Sequence, residues 1–190
     1  MTNLGHTSAA YLISKIKVTK DQPPFKKSEV IFILVCGNIF DIDYLLLPLV
    51  GVPGWLHHYS PSHTPFFGVV YLLLFYFLFR TKFSKQTFIL GTIAMLSHLV
   101  LDDASYWLSF MHLTTDIHPQ IFWLFPLDIR FLPEMKLAFT ELYSRAWSLG
   151  VIVEFYLIKT PVYVFMELII VIFAVKTWFK DRLTGFRLKP

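Results

Sequence analysis

The chain has 190 residues, 55% of them hydrophobic and 18% aromatic against 16% charged, and a mean hydropathy of +0.57, a composition that excludes an ordinary water-soluble domain and reads as a small multi-pass membrane protein. The net charge of +4 does not point to nucleic acid, because 13 of the 17 lysines and arginines fall in three clusters (Lys15 to Lys27, Arg80 to Lys85, Lys176 to Lys189) that border apolar segments, and no recognition motif accompanies them. A single cysteine, Cys36, excludes an intramolecular disulfide, and no basic stretch, apolar core and cleavage site mark a removable signal peptide.

In chain order, "HTSAAYLISKIKVTK" predicts a first helix from His6 to Lys20, running inward before "DQPPFKK" turns the chain back. Apolar spans are expected at Ser28 to Val50, Pro65 to Phe79, Thr87 to Leu101 and Pro161 to Phe179, the last opened by a Thr160-Pro161 cap. The middle two are short for a bilayer. Residues Ala146 to Lys159 suggest a separate interfacial helix, and Gly51, Pro53 and Gly54 punctuate the loop after the first span. The expected fold is an all-α, multi-pass transmembrane bundle of about five membrane-immersed helices in a single domain covering residues 1–190. With the basic clusters inside, segments 51–63 and 104–160 face outward, where Trp55, Tyr59, Tyr106, Trp107 and Trp123 form an aromatic belt.

Ionisable residues at membrane depth are costly and functional by default. "GNIFDIDYL" puts Asp41 and Asp43 inside the first span. Counted from Ser28 along one straight helix, Asp41 lies about 20 Å in, roughly 10 Å below the outer boundary. "SHLVLDD" puts His98 and Asp102 at i and i+4 on one helix face, a spacing that suits two ligands of one metal. Glu167 belongs to the same level, and the inward first helix returns His6 to it. "HHYSPSHT" adds three of the seven histidines on the outer side. The competing reading of Asp41, Asp43, His98 and Asp102 is internal hydrogen bonding. His112 and His118 read as satisfied polar residues and Asp103 and Asp128 as solvated or capping, while Asp21, Glu29 and Asp181 sit among lysines at the inner boundary and need no role.

"GHT" near the start, "GNIFDID", "HHYSPSHT", "SHLVLDD" and "FWLFPLD" together resemble the successive motifs of the YdjM-like family of predicted membrane-bound metal-dependent hydrolases, over roughly residues 5 to 128. That family is grouped, more distantly, with zinc-dependent phospholipase C and S1/P1-type nucleases. The resemblance marks His6, Asp41, Asp43, His58, His63, His98 and Asp102 as metal ligands, and favours His58 over His57. This chain departs from the family at Phe40, where a proline is usual, and at Tyr59 and Ser60, where Arg-Gly is usual, so the anion-binding arginine of the motif is missing.

Four histidines and three aspartates suit two or more divalent ions, zinc first, with carboxylate bridging. Such a site activates water for hydrolysis of an ester or phosphoester at the outer headgroup level, with phospholipid the natural substrate and Asp41 or Asp43 as general base. The lipid bilayer is the expected partner, in a bacterial-type inner membrane. No HExxH or GxSxG motif supports another hydrolase class. A non-catalytic metal-binding scaffold or a transporter is the alternative.

Overall fold

The computed structural model describes residues 2–20, 23–50, 58, 60–113, 121, 123–127 and 161–183. Every regular element among them is helical: α1 (Asn3–Ile13), α2 (Lys27–Cys36), α3 (Ile42–Leu46), α4 (Pro65–Phe79), α5 (Lys85–Asp102), α6 (Ala104–Phe110) and α7 (Pro161–Leu183), with 3₁₀ turns at Ile39–Asp41 and Leu47–Val50. The all-α expectation is met. The proposed helix at Ala146 to Lys159 lies outside the described residues.

The expected spans need correcting in length. Among the described residues only Pro161–Leu183, at 23 residues, is long and apolar enough to cross a membrane alone. Lys27–Cys36 and Ile39–Leu49 qualify only as a pair bent by 60°, so the expected first span from Ser28 to Val50 is not one helix. α4 keeps the expected bounds, but its 15 residues rise only about 22 Å. α1 is also shorter than read. It starts earlier, where the Thr2 hydroxyl accepts from Gly5 N at 3.4 Å, and stops at Ser14, whose hydroxyl donates to the Tyr11 carbonyl at 2.6 Å. The β-branched residues Ile16, Val18 and Thr19 that follow are poor helix formers.

Two compact units divide the chain. The first comprises Met1–Ile39, Tyr71–His98 and Glu167–Pro190, the second Phe40–Val70 and Leu99–Met166.

In the first unit α1 and α2 run antiparallel, as expected. Thr7 Oγ1 donates to Asn38 Oδ1 at 3.1 Å just past the end of α2, whereas Tyr11 and Lys15 share a cavity with Lys27 and Val30 at its beginning. Ala10, Ile33, Leu90 and Ala94 are buried together as the contact between α1, α2 and α5. Gly37 makes that approach possible, since a Cβ there would stand 2.5 Å from that of Ala10. Phe32 is the aromatic hub, its ring 4.8 to 6.0 Å from those of Phe75, Phe79, Phe83 and Phe88. The basic ends of the helices gather: Lys15 Nζ lies 2.7 Å from Asp181 in the last turn of α7, and Thr87 Oγ1 at the start of α5 donates to Glu29 at the start of α2 (2.6 Å).

α5 exposes a row of large apolar side chains, and on its buried face Leu90, Met95 and Leu99 are joined by small and polar residues. Thr87, Gly91, Ala94, His98 and Asp102 are buried, while Ile89, Ile93, Leu96 and Val100 are exposed at helical spacing. α4 behaves alike: of its residues only Gly68 is buried, and Leu73, Leu74, Phe77 and Leu78 are exposed.

In the second unit the short helices and turns converge on the last turn of α5. The Thr64 carbonyl accepts from Gly68 N at 3.0 Å and so opens α4. The Tyr163 hydroxyl donates to the Leu101 carbonyl at 2.9 Å, one of the carbonyls left over at the end of α5. Phe66 and Phe67 flank Phe125 at ring separations of 6.1 and 6.4 Å.

Candidate metal centre

The polar side chains of the second unit are positioned by local backbone breaks. Asp41 ends the 3₁₀ turn and Asp43 falls in the first turn of α3, so both carboxylates sit where the chain stops being regular. In the histidine stretch, His63 N donates to the Ser60 carbonyl at 3.0 Å and Thr64 Oγ1 to the Pro61 carbonyl at 2.7 Å. That tight turn points His63 inward. Asp102 is the last residue of α5. His63 and Asp102 are at most 1% exposed, Asp43 is 4% and Asp41 8%.

Three of these side chains converge. His63 Nε2 lies 2.9 Å from Asp102 Oδ2, His58 Nε2 lies 3.6 Å from the same oxygen, and one ligand atom from each of the three falls within 4.8 Å of the others. Tetrahedral ligands held at 2.0–2.2 Å from a zinc ion stand about 3.3 Å apart, so the two distances bracket the spacing a metal would impose. On its other side the His63 ring faces Asp43, with Nδ1 3.7 Å from Oδ2. Ser62 donates to that same Asp43 oxygen at 2.8 Å and is itself bonded to Ser60 at 2.5 Å. At 3.7 Å the Asp43 carboxylate acts on the ring by attraction, which raises its basicity. Asp43 Oδ1 is buried without a hydrogen-bond partner among the described residues, leaving one lone-pair face for an ion or a water.

Charge makes the stronger argument. The acidic residues described in this unit are Asp41, Asp43, Asp102 and Asp103, all buried, and among its described residues there is no lysine or arginine. Burying an uncompensated carboxylate costs several kcal/mol even after relaxation. Both histidines, fully protonated, would still leave two negative charges over. A divalent cation balances them. Burial alone depresses the pKa of His63, but the hydrogen bond it donates to Asp102 and the negative charges of Asp102 and Asp43 outweigh that and raise the value to about 9. Without a metal, a proton on His63 takes part of the cation's place.

Asp103 corrects the sequence reading. It does stand at the start of α6, its carbonyl accepting from Trp107 N at 3.1 Å, but its side chain is fully buried rather than solvated. It accepts from the Trp123 indole at 2.9 Å. Trp123 belongs to "FWLFPLD", so this motif anchors the residue next to Asp102. Tyr163 holds the residue on the other side, through the Leu101 carbonyl. Periodicity gave no sign of Tyr163, which sits in an apolar span.

His6, His98 and Glu167 belong to the first unit. His98 and His6 are buried there, their rings stacked at 3.7 Å and 20°. His98 Nδ1 is 2.8 Å from the Gly37 carbonyl. A carbonyl only accepts, so Nδ1 carries the hydrogen, which leaves Nε2 as the nitrogen a metal could take. Glu167 accepts from the backbone N–H of Thr2 at 3.3 Å and from its hydroxyl, tying α7 to the start of α1. His112 is exposed, with a positive φ of 57°, and shows no part in the cluster; His57, His118 and Asp128 lie outside the described residues. Of the seven expected ligands, the second unit brings together Asp43, His58, His63 and Asp102 and buries Asp41 two residues from Asp43, and the first unit pairs His6 with His98. No protein-family model, no curated protein and no solved structure matches the chain.

Proposed function

We propose that this chain is an integral, multi-pass membrane hydrolase that uses two or more divalent ions, zinc foremost, to cleave a phosphoester or ester at the headgroup level, with phospholipid as the natural substrate class. The observation that carries the proposal is the convergence of His58, His63 and Asp102 beside Asp43, in surroundings with four buried carboxylates and no described lysine or arginine. The likeness of its motifs to the YdjM-like family supports the same reading. Several membrane crossings are favoured by α4 and α5, which leave rows of large apolar side chains exposed while α5 buries Thr87, His98 and Asp102. In water such faces would form an adhesive patch.

Bound divalent ions would lower the pKa of water and polarise the substrate's oxygens. His58, His63 and Asp102 would hold one ion. In the first unit, His98 and His6 would offer nitrogen donors of their own. Asp43, fixed by Ser62 through one oxygen and open at the other, would accept the proton of the attacking water. His58 keeps 18% of its side chain exposed, while its Nε2, the atom that would hold the ion, is buried.

The test is hydrolysis of a chromogenic phosphodiester and of dispersed phospholipid by the detergent-purified chain with zinc resupplied. Turnover is expected, and Asp43→Asn should lower kcat by about 100-fold or more while bound metal is retained. A metal-loaded chain that cleaves neither substrate would overturn the hydrolase and leave a metal-binding scaffold.

A further inference from the structure

The basic end of the first unit contains a cavity of about 290 Å³ walled by α1, α2 and α7. Its composition divides along its length. Val30, Ile31 and Leu34, from successive turns of α2, and Trp178 of α7 supply an apolar wall. Lys15, Lys27, Tyr11 and Asp181 supply a polar end. Asp181 does not make that end acidic, because Lys15 Nζ is 2.7 Å from it and the Tyr11 hydroxyl donates to it at 2.8 Å. Its charge is already matched. Lys27 is therefore the surplus charge of the lining; it is exposed, with no ion pair among the described residues. Arg182 adds a second cation at the rim, its guanidinium 4.2 Å from the centre of the Trp178 ring.

From this geometry we infer that the cavity between α1, α2 and α7 is a binding site for an acidic phospholipid, with the phosphate beside Lys27 and Lys15 and an acyl chain along Val30, Ile31 and Leu34. Charge complementarity selects the occupant. The surrounding chain adds Lys17, Lys20, Lys26 and Lys180, a density of cations that draws anionic lipid to the cytoplasmic leaflet. The apolar wall selects against free phosphate, and half-exposed Ile31 (49%) lets a chain enter from the side. Tryptophan with a stacked arginine suits the level where headgroups meet hydrocarbon. The inference rests on the membrane reading of the chain and is independent of the metal centre, so metal content and lipid selectivity can fail separately.

Native mass spectrometry of the full chain in detergent, titrated with phosphatidylglycerol or phosphatidylcholine of equal chain length, tests it. One phosphatidylglycerol per chain is expected, bound more tightly than phosphatidylcholine. Lys27→Ala should weaken it about fivefold, the weight of one lysine beside an anionic surface. Ile31→Trp, which fills the cavity from an exposed position, should reduce occupancy by both lipids. Lys82→Ala, a basic residue outside the lining, should change nothing. Equal binding of the two lipids, an unchanged Lys27→Ala, an equal loss in Lys82→Ala, or displacement by millimolar inorganic phosphate would each overturn the site.

Discussion

Gly37→Ala is the sharpest probe of how the first unit is assembled. Gly37 has φ −71° and ψ −8°, an ordinary right-handed conformation, so glycine is needed there for space and not for its backbone freedom. A Cβ would stand 2.5 Å from Ala10 Cβ, with Ala94 Cβ 3.5 Å away on another side. Methyl carbons rest near 3.5–4.0 Å, so α1 must retreat by about 1 Å or more, carrying His6, one turn before Ala10, away from His98. Overpacking of this kind costs about 1–3 kcal/mol. In an Ala10→Gly background the collision disappears, and the same Gly37→Ala change should turn neutral or stabilise by about 0.4–1 kcal/mol through the unfolded chain. Denaturant titration in micelles, followed by circular dichroism across the four variants of this cycle, measures the coupling. A Gly37→Ala protein as stable as wild type, or an equal cost in both backgrounds, would refute the close approach of α1 to α2.

Other expectations follow from the end of α5 and from the histidines. Tyr163→Phe removes the hydroxyl that caps the Leu101 carbonyl; it should cost about 0.5–1.5 kcal/mol and weaken metal affinity about tenfold, read by competition with a chelating dye. His63 has its pKa raised to about 9. The metal-free protein should therefore hold the full stabilisation from its pairing with Asp102 below pH 6.5, the ordinary value, and lose it as pH rises through 9. Unfolding midpoints of the metal-free chain should fall across that window. Metal affinity should rise across it, because each ion bound must release the His63 proton, and calorimetry in buffers of different ionisation enthalpy counts that proton. A flat midpoint and no proton release would remove His63 from the ligand set.

Much of the local structure was legible in the residues. Pro65 and the unbroken apolar run to Phe79 define α4 to the residue, and Pro161 starts α7 as its position at N1 requires. The antiparallel turn between α1 and α2 was legible in the Pro-rich stretch after Lys20. The break after Cys36 was not. A hydropathy reading sees one continuous span from Ser28 to Val50, whereas the helix yields to a bend that buries Asp41 and Asp43, a tertiary effect that periodicity cannot register. His63 and Asp102 were both named in advance, yet their 2.9 Å approach joins residues 39 positions apart, and spacing has no access to that. Asp103 looked like a surface cap because its partner, Trp123, lies 20 residues away on a different segment.

His58, His63 and Asp102 are expected to hold a divalent ion. Elemental mass spectrometry of the detergent-purified full chain, prepared without chelator and resupplied with zinc, tests this most directly when wild type is compared with His63→Ala and Asp102→Asn. Stoichiometric metal in the wild type, reduced in both variants while their helical circular dichroism is kept, is the predicted result. A folded wild type that retains no metal, or variants that retain it in full, would contradict the account and leave these buried carboxylates to be neutralised by protons.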